Sequence, residues 1–336
     1  MLRSDLPLSV DSLLLDAETE VEEIATRLQD IVYRRLHKRG AVIGLSGGID
    51  SSVTAALCCR SLGPERVVGL LMPEADSSGD TMDLSRLVGS FLGVELVLEV
   101  ITPILEAVGC YERRDAAIRQ VIPAYGPGWR SKIVLPSVLG HDRFSVYTVV
   151  AESPEGERVE ARLTADAYRA VVAATNFKQR TRKMLEYHHA DRRDYAVAGT
   201  PNRLEYDQGF FVKLGDGAAD VKPIAHLYKS QVFQLAEYLG LPEEIRARPP
   251  TTDTYSLPQS QEEFYFSLPY EQMDLFLFAE ERGLPASELV RATGLSLADV
   301  ERVLRDIDRK RTATTYLHLA PQLIRDVSVG SEPEKT

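Results

Sequence analysis

The chain has 336 residues, 44% of them apolar and 26% charged, with a formal net charge of −11 at neutral pH. That length suits one large domain or two modest ones. The acidic balance excludes a sequence-independent nucleic-acid binder, which needs a basic surface, while leaving room for a local basic pocket for phosphates.

Residues from about Val10 to Arg39 carry apolar side chains at three- and four-residue spacing, including Leu13, Val21, Ile24, Leu28, Ile31 and Leu36. This predicts one long amphipathic helix, or two broken ones. No signal-peptide core follows Met1, and no apolar run approaches the ~18 residues of a membrane span.

The apolar run Ala41-Val42-Ile43-Gly44-Leu45 reads as a buried strand. Ser46-Gly47-Gly48-Ile49-Asp50-Ser51-Ser52 follows it, and Val53 to Leu57 continues as a helix. Two adjacent glycines let the backbone turn sharply and approach a ligand. The helix start offers free N–H groups and a positive dipole end, which suit an anion. Ser46, Ser51 and Ser52 add hydroxyl donors. A carboxylate at Asp50 repels phosphate unless it holds a Mg²⁺ ion that bridges the phosphates. Cys58 and Cys59 sit on the same helix as small apolar groups. With Cys110 they make an odd count without metal spacing, as expected in a reducing cytoplasm.

Val67 to Met72 predicts a second buried strand, Asp80 to Leu92 a helix, and Val94 to Val100 a third strand. Strands alternating with helices predict parallel βαβ units in a doubly wound α/β sheet with flanking helices. The stretch 123–165 breaks this rhythm. Its turn-rich start (Pro123 to Trp129), the strand-like run Phe144 to Val150, the turn Pro154 to Glu157 and the alternating run Val159 to Leu163 predict an inserted β-hairpin. Helical pattern resumes from Ala165 to about His189, and Tyr195 to Thr200 is another buried strand. Leu227 to Leu239 is a helix closed by Gly240, and Tyr270 to Ile307 is helical. The helix–turn–helix flavour around Gly294 lacks basic residues at reading positions, which argues against DNA binding.

The polar segment Gly199 to Asp220 begins where a parallel strand ends, the usual ligand position in open α/β sheets. Glu205 within it is a candidate second Mg²⁺ ligand. Lys229 can meet a phosphate as a point charge. Arg180 and Arg182 sit in a helical run that is either a site face or a solvated one.

The heptapeptide at 46–52 resembles the pyrophosphate loop of N-type ATP pyrophosphatases. Together with LLMPEADSS at 70–78, NFKQRTR at 176–182, GTPNRLEYDQGFFVKLGDGAAD at 199–220, KPIAHLYKSQV at 222–232 and PPTTD at 249–253, the pattern resembles the NAD synthetase family over roughly 20–122 and 165–320. The resemblance implies an adenine nucleotide alpha hydrolase-like fold. It also implies ATP-dependent amidation of nicotinic acid adenine dinucleotide through an acyl adenylate, using ammonia and releasing AMP and pyrophosphate. It assigns Ser46, Gly47, Gly48, Ser51 and Ser52 to the pyrophosphate loop and Asp50 and Glu205 to Mg²⁺. Thr200 falls in the ATP site, Lys229 and Thr251 on ATP phosphates, and Arg180, Lys213 and Asp220 near ATP or the acyl substrate. It further implies a cytoplasmic homodimer. No glutaminase-like segment is seen, so the nitrogen comes from free ammonia or a separate glutaminase.

The expected organisation is a synthetase domain at 1–270 with the insert at about 123–165, a helical extension at 271–327, and a loose tail at 328–336. Two stretches depart from the family pattern: the insert, and the aromatic-rich segment 254–266. The insert is a lid, a dimer contact or a reshaped pocket. Both departures point to the acyl acceptor, so the same chemistry on a different carboxylic acid is the alternative.

Overall fold

The computed structural model describes residues 7–135, 139, 147–251, 254–266, 268–325 and 327. In chain order the main elements are α1 (Ala17–Asp30), β1 (Ala41–Gly44), α2 (Ile49–Leu62), β2 (Val67–Leu71), α3 (Gly79–Leu92), β3 (Glu95–Leu98), α4 (Thr102–Ala107), α5 (Cys110–Arg119), β4 (Arg130–Val134), β5 (Thr148–Glu152), β6 (Arg158–Arg162), α6 (Ala165–Arg193) and β7 (Ala196–Val197). There follow α7 (Arg203–Gln208), α8 (Lys229–Tyr238), α9 (Glu243–Arg246), α10 (Tyr270–Glu281), α11 (Ala286–Thr293) and α12 (Leu297–His318).

Among the described residues the strands form two sheets. The central one is parallel, in the order β3-β2-β1-β7. Its inner strands β1 and β2 and the short β7 are apolar because both their faces are covered, whereas the edge strand β3 is partly exposed. Side chains alternate along β1, so Ala41 and Ile43 enter one core with Leu28, Val53, Leu57 and Val232, from α1, α2 and α8. Val42 enters the opposite core with Val68, Leu70, Leu105 and Ala190, from β2, α4 and α6. The predicted doubly wound α/β layering is therefore present.

The first helical stretch is broken, as one of the two expectations allowed. A 3₁₀ turn at Val10–Leu13 precedes α1, and a π-helical turn at Ile31–Arg35 ends it. The predicted hairpin is present as β5 and β6, with one strand more. β4 pairs antiparallel with β5 to make a three-stranded sheet. The turn-rich run 123–129 masked β4, whose polar–apolar alternation covers only five residues. Phe144 to Val146, the start of the predicted strand, lie outside the described residues, as does the tail 328–336. The small sheet packs Ile133, Val149 and Ala151 against Ala167 and Val171 of α6 and Tyr255. A separate helical core holds Met273, Phe276, Val300, Val303 and Ile307, with Leu8 and Leu13 from the N-terminal end.

Candidate active site

One cavity of about 1050 Å³ opens beyond the carboxyl ends of β1, β2 and β7. In open α/β sheets this is where ligands sit. Gly44 to Ser46 and Gly48 to Ser51 line it from the loop and first turn of α2. Gly47 lies behind the lining with φ +67°, and a Cβ there would come within 2.6 Å of Leu84 Cβ. Only glycine makes this turn without strain.

The serines fold the loop on itself. Ser51 and Ser52 hydroxyls donate to the Gly48 carbonyl at 3.0 and 2.8 Å. The Gly48 N–H donates to Ser46 Oγ at 3.3 Å. Ser52 is fully buried and does not line the cavity, so its role here is to shape the turn.

Asp50 meets two partners from distant elements. Lys229, at the first position of α8, is almost wholly buried and forms an ion pair with Asp50 Oδ2. Asn202 Nδ2 donates to Asp50 Oδ1 at 2.9 Å. Asn202 also caps α7: its side chain accepts the Glu205 N–H at 3.1 Å, and Glu205 Oε2 accepts the Asn202 N–H at 3.2 Å. This reciprocal box fixes Glu205 beside Asp50. Desolvation, then the charge of Asp50, pushes the Glu205 carboxyl up to about 8, against the pull of Lys229 and its hydrogen-bond donors. The second Glu205 oxygen accepts from Gln261 Nε2 at 2.9 Å.

Lys229 is itself held from behind. Asp274 of α10, fully buried, accepts the backbone N–H groups of Lys229 and Ser230 at 3.3 and 2.8 Å. Those are orphan donors at the start of α8. Burial raises the Asp274 carboxyl to about 6.

Thr200, Thr251, Arg180 and Lys213 also line the cavity. Arg180 Nε donates to the Lys213 carbonyl at 3.3 Å, and Lys213 Nζ to the Tyr316 and Leu319 carbonyls at 2.6 and 3.2 Å. Lys213 thus ties the cavity rim to the end of α12. Asp220 does not line the cavity. Its carboxylate accepts the Val197 N–H at 2.7 Å and the Tyr187 hydroxyl at 3.2 Å, anchoring β7. Arg182 lines the cavity as well, and its Nε donates to the Met72 carbonyl at 3.4 Å. Thr252 and Asp253 of the PPTTD run lie outside the described residues.

Arg305, Arg309 and Lys310 of α12 line the cavity too, and neither they nor Asn202, Gln261 and Asp274 were singled out from the sequence. The capping pattern Asn202-x-x-Glu205 was a readable local signal. Gln261 and Asp274 reach their partners across 56 and 45 positions, and no local pattern marks them.

A family model described as NAD synthase matches residues 20–120 and 152–313. The unmatched stretch between them carries β4 and most of β5. The chain is 58% identical over 322 residues to the NH(3)-dependent NAD(+) synthetase of Rhizobium meliloti, covering 96% of each. It is 36% identical over 272 residues to the protein of the same name from Thermotoga neapolitana, covering 81% of this chain and 86% of that one. Among solved structures, NMN synthetase from Francisella tularensis aligns with a TM-score of 0.64 at 23% identity, covering 93% of this chain and all of that one. At that identity the likeness speaks for the fold. With its family motifs gathered at one cavity, the chain belongs to the NAD synthase family.

Proposed function

We propose that this protein is an ammonia-dependent NAD synthetase, a carbon–nitrogen ligase that amidates nicotinic acid adenine dinucleotide at the expense of ATP. The observation that carries this reading is the convergence of the glycine loop, Asp50, Lys229 and Glu205 on one cavity of about 1050 Å³, the upper end of the size of ordinary ligand sites.

A carboxylate resists amidation because its leaving group would be oxide. In the first step a substrate carboxylate oxygen attacks the α-phosphorus of ATP. The new O–P bond forms as the bond to the β-phosphate bridging oxygen breaks, and pyrophosphate leaves with its charge. The Lys229 ammonium and the first-turn N–H groups of α2 are placed to stabilise that charge. Ammonia then attacks the acyl carbon, the bond to AMP breaks, and a proton is released with the amide product. Ser46 needs no nucleophilic role in this scheme and binds phosphate. Thr200 and Thr251 contact ATP, and Arg180 and Lys213 face ATP or the dinucleotide.

Asp50 and Glu205 fit a magnesium ion. They are neighbouring carboxylates: burial first and the charge of Asp50 second raise the proton affinity of Glu205, and a divalent cation offsets the part due to charge. No cluster of three or more His, Cys, Asp or Glu side chains able to hold a metal exists among the described residues. Two carboxylates completed by phosphate oxygens and water suit Mg²⁺. Bound there, Mg²⁺ supplies charge neutralisation on the triphosphate.

The reading includes a homodimer that works in the cytoplasm. No helix among the described residues is long and apolar enough to cross a membrane. A second reading keeps the adenylation and changes the acid, because Tyr147 and Leu135 of the insert, with Tyr255, Phe264 and Tyr265 of 254–266, form one wall of the cavity.

Release of pyrophosphate and AMP is measured with ATP, Mg²⁺ and ammonium, with and without the dinucleotide. Dinucleotide-dependent release with an equal amount of NAD is the expected result. ATP binding without stimulation by the dinucleotide would overturn the substrate and favour another acid.

A further inference from the structure

The insert and the segment 254–266 are one structure. β4 holds the segment along its free edge: the Leu135 N–H donates to the Glu263 carbonyl at 2.9 Å, the Leu257 N–H to the Ser131 carbonyl at 3.2 Å, and the Ser131 N–H to Ser256 Oγ at 2.9 Å. Gln259 Nε2 donates to the Ile133 carbonyl, and Lys132 forms an ion pair with Glu263 at 2.8 Å. The far end of the segment is fixed too. Lys178, 1% exposed, donates to the Thr254 carbonyl at 2.7 Å while paired with Glu74 and Asp76.

This clamped segment delivers one amide into the reaction centre. Gln261 Nε2 reaches Glu205 Oε1 at 2.9 Å, and both side chains line the cavity. The other Glu205 oxygen is taken by the α7 cap. Each carboxylate oxygen therefore has one directing donor and a lone pair left over. A carboxylate held in this way is oriented before a cation arrives, and such outer partners commonly matter 10–100-fold for metal affinity or activity.

We propose that Gln261 is a positioning residue for Glu205, and that the 123–165 insert acts as the buttress that holds Gln261 in place. The proposal rests on the assignment of Glu205 to Mg²⁺ made above. It revises the expectation that the insert bears on the acyl acceptor alone, because the contact chain runs from β4 through Gln261 to the cation side of the site.

The test uses the full chain with Mg²⁺ and ATP, without dinucleotide or ammonia. ATP binding is followed by calorimetry across a Mg²⁺ series for wild type, Gln261→Ala and Lys132→Ala. Gln261→Ala is expected to raise the Mg²⁺ concentration for half-maximal ATP binding about tenfold or more. It should leave the melting temperature and Mg²⁺-free ATP binding unchanged. Lys132→Ala keeps the amide and loosens its support, so a smaller shift in the same direction is expected. An unchanged Mg²⁺ dependence in Gln261→Ala overturns the proposal, as does an equal loss of ATP binding without Mg²⁺. Failure of the wild type to form NAD would instead sink the substrate assignment and leave this readout intact.

Discussion

Glu205 makes the ligand-free protein pH-sensitive in a direction that can be calculated. Its folded-state carboxyl is raised from the ordinary 4.5 to about 8. A raised acid contributes stability that is fully present below the unfolded value and lost as pH rises through the folded one. At about 1.4 kcal/mol per pH unit, the loss between pH 5 and pH 8 is on the order of 3–4 kcal/mol. Glu205→Gln keeps the shape and the acceptor oxygen for the Asn202 N–H but does not titrate. With an unfolding entropy of about 2 cal/mol/K per residue, that difference is roughly 5 °C in melting temperature for this chain. Calorimetry of ligand-free protein should show the variant matching wild type near pH 5 and exceeding it by about 5 °C at pH 8. Mg²⁺ and ATP should stabilise both proteins at pH 8, wild type by more than the variant, because only wild type offers the second carboxylate to the cation. A gap that stays flat from pH 5 to pH 8 would refute the reasoning, because Glu205 would then ionise as it does in water.

Asp50→Asn removes the charge that faces Lys229, and pyrophosphate release should vanish while the circular dichroism spectrum is kept; retained turnover sinks the metal assignment. Lys229→Met should cut kcat about 10²–10³-fold, the usual cost of one lost donor to developing charge, and an unchanged kcat would show that the ammonium takes no part. Lys178→Met leaves the buried Glu74 without its cation while Asp76 keeps Arg114, so urea unfolding should report a loss of about 3 kcal/mol. Gly209→Ala places a methyl 2.2 Å from Thr314 Cβ at φ +68°, costing about 1–2 kcal/mol in backbone strain alone. It should also displace α12 and lower activity, and a silent substitution would mean the α7–α12 contact is soft.

The parallel sheet was legible because its signals are local. Continuous apolar runs mark strands covered on both faces, and Gly47 declares the turn that only glycine makes. Asp50, Glu205 and Lys229 were reachable through motifs, since each stands at the start of a helix or beside a glycine turn. β4 was not, because five half-polar residues after a turn-rich run carry too little periodicity to stand out. The family resemblance sets Asp220 near ATP or the acyl substrate, and the contacts its carboxylate makes here fasten β7. Gln261 and Asp274 owe their places wholly to tertiary packing, and Gln261 became visible only once β4 was seen to grip its segment.

Asp274 stands in the helical core of the C-terminal region, yet its carboxylate seats the first turn of α8, the turn that presents Lys229. Asp274 is thus one of the links that join the terminal helices to the sheet's half of the site, beside the Lys213–Tyr316, Tyr228–Glu281 and Arg311–Asp207 contacts. Without α10 the backbone N–H groups of Lys229 and Ser230 lose their carboxylate acceptor, and the Gln231 bond to the Tyr228 N–H is what remains at that helix start. The helix start that presents Lys229 therefore depends on a carboxylate from the segment that begins at α10.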